Sequence, residues 1–219
     1  MSPRIEQTRR KTKKRTQRPK TGAKKAGAPV VSPGEALGLL ELTSVARGIE
    51  ATDLMMKAAD VELLASRSIC AGKYLVMVRG DVAACSSSVK AGIECGRETT
   101  ADSFVIPNLH PEIFPAIAQS SVIGDVSALG ILEAFDVASL IEGADAAVKA
   151  SAVHLLEIRL AMALGGKAFC VLTGEVAAVK AAVDAGSAVI AAKGLLTAGV
   201  VIPSPNEALV RELLGGRLA

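Results

Sequence analysis

From residue 36 onward the chain alternates apolar runs of strand length with apolar stripes of helical period. "ALGLLEL" (36–42) is almost wholly apolar and predicts a strand. Thr43 or Ser44 follows where a hydroxyl can accept from the unpaired N–H groups that open a helix. In that helix Val45, Ile49 and Met56 are expected to share one face. "LLASRSI" and "YLVMVRG" are strand-like, and the "CAG" between them (70–72) predicts a hairpin turn. Asp81 can cap a second helix that turns Val82, Cys85 and Val89 inward and stops at Gly92.

The same pattern then runs a second time. Residues 36–64 align without a gap on 128–156 at an offset of 92, so that Glu41, Glu50, Asp53 and Lys57 fall on Glu133, Glu142, Asp145 and Lys149. A two-residue insertion in the second turn, "MALGG", shifts the offset to 94, and "GKYLVMVRGDVAACSSSVKAG" (72–92) lies over "GKAFCVLTGEVAAVKAAVDAG" (166–186). The units end in "FVIP" (104–107) and "VVIP" (200–203). Val137, Ile141 and Val148 repeat the stripe of the first helix. Each copy reads strand, helix, strand, strand, helix, short strand, short helix. The expected fold is α/β of the α+β sandwich kind: two tandem domains, each an antiparallel sheet with helices packed on one side. The boundaries are an N-terminal arm and linker over 1–35, a first domain over 36–124 and a second over 125–219.

Charge separates the arm from the repeats. Residues 1–25 hold 11 Lys and Arg against Glu6 alone, whereas residues 26–219 hold 14 basic and 21 acidic side chains. The net charge of +3 therefore sums two opposite characters. The arm has too little apolar surface to offset the entropy of ordering, and is expected to be disordered and to attract anionic partners. With no Trp, one Tyr and four Phe, the chain offers few surfaces on which bases could stack, which argues against nucleic acid as the main partner. No apolar run is long enough for a membrane span, and no signal-peptide core follows the basic start, so a reducing, cytoplasmic setting is expected.

"LELTSVARGIEATDLMMKAADVELLASRSICAGK", with a second helix opening "GDV", the "IP" closes, "GGK" and "VIPSPNEA", resembles the bacterial microcompartment shell family over residues 36 to about 214. Two copies in one chain resemble its tandem-domain class, and within it the propanediol-utilisation type. Neither copy looks circularly permuted. The resemblance implies a homotrimer forming a flat pseudohexameric tile that associates with other shell tiles at the microcompartment shell, and no membrane partner. It implies that the turns Ser68–Lys73 and Leu160–Lys167 surround a central opening, with Ser68, Ile69, Ala71, Gly72, Met162, Ala163, Leu164 and Gly165 as pore-loop residues. It further implies that Cys70 is the metal ligand, one thiolate from each of three subunits holding one iron–sulfur cluster per trimer, as a 4Fe–4S or a three-iron cluster. Soft thiolates suit such clusters, and three-fold symmetry turns one cysteine into three. Lys57 and Lys149 are implied at the tile edge. The chain departs from the family in carrying Ala71 after the cysteine where a proline is nearer the type, and Asn108 and Ser204 where family edges often have arginine.

Other groups carry simpler readings. Cys85 and Cys170 sit where the other copy has valine, and with Cys95 are read as structural; no CxxC or ferredoxin spacing exists. His110 and His154 occupy non-equivalent positions and are read as satisfied or exposed rather than catalytic. Glu41 and Glu133 repeat with the fold. No catalytic constellation stands out, so the expected function is a shell tile and not an enzyme, its cluster moving electrons across the shell or being delivered to luminal enzymes. The alternatives are a cluster-free metabolite pore, a trimeric platform binding polyanions through the arm and, last, a thiol enzyme at Cys70. The arm could also contact luminal cargo.

Overall fold

The computed structural model describes residues 35–69, 72–122, 124–160 and 166–214. The arm therefore lies outside the described residues, as do Cys70 and Ala71, and so do Met162, Ala163, Leu164 and Gly165. The first repeat runs β1 (Ala36–Leu42), α1 (Val45–Ala58), β2 (Glu62–Ile69), β3 (Lys73–Gly80), α2 (Val82–Gly96), β4 (Thr100–Ile106) and α3 (Ile113–Ile117). The second runs β5 (Ala128–Ala134), α4 (Val137–Ala150), β6 (Val153–Leu160), β7 (Ala168–Gly174), α5 (Val176–Ala192), β8 (Leu196–Pro203) and α6 (Glu207–Leu214). Both sheets are antiparallel with four strands, in the orders β2-β3-β1-β4 and β6-β7-β5-β8. Register breaks recur at the same places, between Leu63 and Ala65 and between Leu155 and Glu157. Among the described residues no helix is long and apolar enough to cross a membrane.

Strand alternation sorts the helices onto two faces. A Cβ on Gly38 would meet Val89 and Cys85 of α2, and one on Gly130 would meet Val179 and Val183 of α5, so these positions face the long helices. Their neighbours Leu37, Leu39 and Leu129 point the other way. There the short closing helices lie: Ile113, Phe114 and Ile117 of α3 cluster with Leu37, Leu39, Leu75 and Met77, and Val210 of α6 with Leu129, Leu156 and Val171. The long helices thus share one face, as expected, and each unit closes with a short helix on the other.

Local caps follow the sequence. Ser44 Oγ accepts from Arg47 N–H at 3.4 Å, Asp81 Oδ1 from Ala84 N–H at 2.7 Å and Asp136 Oδ1 from Ser139 N–H at 2.7 Å. Three expectations need correction. Helix α2 does not stop at Gly92 but runs to Gly96, and Gly92 is where the packing is tightest. A Cβ there would stand 2.6 Å from Leu40 and 2.8 Å from Met55. The glycine is needed for close approach, not for termination. Val82 lies exposed, at the first position of α2, while Cys85 and Val89 are buried. Finally, α1 buries Gly48, Ala51 and Met55 and leaves Val45 and Ile49 exposed, although Val137 and Ile141 of the second repeat are buried. In the second repeat Ile190 of α5 packs against Gly143, and Leu195 and Leu196 lie against the same core cluster as Val137 and Ile141.

Candidate functional site

Each hairpin returns through a glycine in the left-handed region, Gly72 at φ 72° and Gly166 at φ 92°, where a side chain would be strained. Around both Cα positions the space is open, with nothing within 4 Å of a built Cβ. The last strand pairs before the first turn are Ser68 with Tyr74 and Ile69 with Lys73. Ser68 is exposed, whereas Ile69 is buried in the large core cluster. Directly after each turn a lysine is held back by the carboxylate closing the first strand: Lys73 Nζ lies 2.5 Å from Glu41 Oε1, and Lys167 Nζ 2.6 Å from Glu133 Oε1. The sequence shows both members of each pair repeating, but their contact depends on register, since Glu41 opposes Leu75 and Glu133 opposes Phe169. The pairing links the turn to the sheet centre.

Cysteine chemistry divides sharply. Cys85 and Cys170 are fully buried, and loss of solvation pushes their thiols up to about 11 and about 12. Cys85 Sγ also donates to the Ala36 carbonyl at 3.4 Å. Burial, and then the Glu50 carboxylate, raise the Cys95 thiol as well. A thiol reluctant to ionise is a poor metal ligand and a poor nucleophile. Among the described residues no group of three or more His, Cys, Asp or Glu could hold a metal ion.

The raised thiols give a stability prediction. Below pH 9 both Cys85 and Cys170 are protonated in folded and unfolded chains alike. Above that value the unfolded chain loses protons that the folded one retains, so stability falls with rising pH until the folded thiols also titrate. Urea midpoints are expected to drop between pH 9 and 11, and Cys170→Val, which installs the residue found at the equivalent position Val76, should flatten the slope. An unchanged slope in that variant would contradict the assignment.

The two lysines equivalent by repeat differ in their surroundings. Lys57 pairs with Asp53 at 2.5 Å, with both side chains more than half exposed. Lys149 pairs with Asp145 at 2.6 Å and also donates to the Asn108 carbonyl of the first repeat at 2.7 Å. His110 contributes its backbone N–H, which donates to Asp145 Oδ1 at 2.7 Å. His154 is exposed, and its Nδ1 lies 3.0 Å from Glu112 Oε1, while Glu112 Oε2 accepts from Leu155 N–H at 2.8 Å. Glu112 was not legible as a functional residue from sequence. Its role of pinning α3 to strand β6 appears only once the two repeats pack.

The BMC domain family matches residues 36–109 and 128–205, one match in each repeat. The microcompartment shell protein PduT of Citrobacter freundii is 42% identical over 182 residues, covering 83% of this chain and 99% of its own length. The microcompartment shell protein EutM of Salmonella typhimurium is 41% identical over 86 residues, covering 37% of this chain and 90% of its own. A crystal structure of a microcompartment protein from Desulfitobacterium hafniense DCB superposes with a TM-score of 0.79 at 48% identity, covering 81% of this chain and 98% of that one.

Proposed function

Because the chain belongs to the BMC-domain family of bacterial microcompartment shell proteins, we propose that it assembles as three copies into a pseudohexameric shell tile with an iron–sulfur cluster at its axis. It is a structural component of a microcompartment shell, with two BMC domains in tandem. The observation that carries the cluster reading is the division of the thiols. Three are held in or against the packing with ionisation disfavoured, and the remaining one, Cys70, stands in the sequence between strand β2 and Gly72, around which the space is open. Cys70 supplies one thiolate per chain, and three chains supply the three that soft iron sites accept. A bound cluster supplies one-electron redox chemistry at the shell. The chain's own residues set its surroundings: Gly72 lets the backbone come close, and the Lys73–Glu41 pair keeps a lysine charge tethered beside the turn. The single-cysteine donor set therefore fits the cluster only in an oligomer. Conduction of electrons between the two sides of the shell is the favoured use.

The test is electron paramagnetic resonance, with iron and acid-labile sulfide analysis, on anaerobically prepared protein. Wild type should carry one cluster per three chains. Cys70→Ala should lose the signal and the sulfide completely while keeping its oligomeric mass. A signal that survives in Cys70→Ala refutes the ligand assignment, whereas wild type without iron and sulfide after reconstitution defeats the cluster and leaves a plain pore tile.

A further inference from the structure

Both hairpins deliver a lysine to the same face of the sheet. Strand alternation puts Glu41 in phase with Leu37 and Leu39, and Lys73 in phase with Leu75 and Met77, and those four apolar side chains cluster with α3. Glu133 and Lys167 likewise follow the phase of Leu129 and Val171, which cluster with Val210 of α6. Each lysine–carboxylate pair therefore lies on the short-helix face, at the end of the sheet where the turn begins.

The two pairs differ in their surroundings. The Glu41 side chain is 12% exposed where that of Glu133 is 30%, so water screens the first pair less. Glu41 also has Asp102 directly opposite on β4, where Glu133 has Ala198 on β8. Like charges so placed repel. On the other side of this row Arg67 opposes Leu75 from β2. Arg67, Glu41 and Asp102 leave one negative charge on the row, and Lys73 cancels it. The lysine is also fixed close to the turn. It pairs with Ile69, the last residue of β2, at the roughly 5 Å between Cα atoms of an antiparallel pair, and Cys70 follows Ile69 in the chain. One strand pair and one covalent link thus separate the charge from the cysteine.

We infer that Lys73 is the charge that tunes the reduction potential of the cluster held through Cys70, and that Glu41 is the positioning residue that holds this lysine back on the sheet. The inference rests on the cluster reading above. When the cluster takes one electron from a one-electron donor, no bond forms or breaks and its charge becomes more negative by one. A fixed ammonium nearby favours that reduced form and raises the potential, whereas a carboxylate left without its lysine lowers it. Together Lys73 and Glu41 hold the potential between the limits that either would impose alone. Lys167 and Glu133 carry less weight, because their turn lacks the cysteine and their carboxylate is the more exposed.

The test is a redox titration with one-electron mediators, read by electron paramagnetic resonance, on full-length protein loaded with iron and sulfide under anaerobic conditions. Lys73→Met should lower the midpoint, Glu41→Gln should raise it, and the two together should return it close to wild type. Lys73→Arg keeps the charge and should keep the midpoint, and Lys167→Met should move it less than Lys73→Met does. Both single variants break the same contact, so a merely structural pair would move the midpoint the same way in both. A midpoint unaltered in both, or shifted with the same sign in both, overturns the inference and leaves the cluster reading intact. Where Lys73→Met does not load, Glu41→Gln decides: a rise supports the inference, and a fall or no change overturns it. Wild type that takes up no iron and sulfide overturns both readings.

Discussion

Gly186→Val is expected to destabilise the chain by about 3 kcal/mol, at the upper end of what overpacking usually costs. A Cβ at Gly186 would stand 2.5 Å from Leu132 Cδ1 and 2.7 Å from the Gly143 carbonyl oxygen. The leucine could swing aside, but the carbonyl belongs to the backbone of α4 and can move only with the helix. Gly143 in turn faces the Gly186 carbonyl, 3.1 Å from where its own Cβ would be, and meets Ile190 at 2.5 Å. Helices α4 and α5 thus approach backbone to backbone, and any side chain forces them apart and opens the core between them. Urea unfolding followed by circular dichroism, at one fixed protein concentration because assembly shifts apparent stability, reads the loss as a fall in midpoint. Gly124→Ala, where a Cβ meets nothing within 4 Å, should change stability by no more than about 0.5 kcal/mol. A Gly186→Val loss no larger than that of the control would show that the helices separate freely.

The second large effect concerns a swap between the repeats. In the first repeat Gly48 lies under the ring of Tyr74, and a built Cβ would be only 2.3 Å from Cδ1. In the second repeat the same positions hold Leu140 and Ala168, both fully buried. One unit puts the bulk on the strand and the other on the helix. The tyrosine also carries a polar chain, in which its hydroxyl lies 2.9 Å from Ser66 Oγ, itself 2.9 Å from Thr52 Oγ1. The second repeat has Ile158 and Ala144 at those two positions, so its core there is apolar. Gly48→Leu alone should cost about 3 kcal/mol through overpacking, and Tyr74→Ala alone about 3 to 5 kcal/mol through the cavity it leaves. The double variant rebuilds the arrangement of the second repeat and should lose less than the sum by about 2 to 3 kcal/mol. Single effects that add within about 0.5 kcal/mol would show that the sites do not share one space.

Much of the fold was legible because duplication shows it twice. The strand "ALGLLEL", the caps at Ser44 and Asp81 and the hairpin after Ile69 all follow from local pattern, and the observed elements begin where those signals stand. What misled was composition at helix ends. Gly92 looks like a stop because glycine commonly ends helices, yet here it is a packing glycine beneath Met55, a role visible only once α1 and α2 cross. Val45 and Ile49 carry the same apolar spacing as Val137 and Ile141, but burial depends on what packs beside each helix in the folded chain, which the spacing does not contain.

By itself the sequence determined the tandem architecture, the order of elements and the single cysteine placed in the first hairpin turn, since each depends on local spacing or on likeness between the copies. The tertiary structure alone decided which thiols are silenced by burial and that Lys73 and Lys167 are tied to Glu41 and Glu133. It also decided that the clasp of Asp145, Lys149 and Glu112 is filled within the chain while its counterpart at Asp53 and Lys57 lies open. Those features join residues far apart along the chain, and only the packing of one repeat against the next brings their atoms within bonding distance.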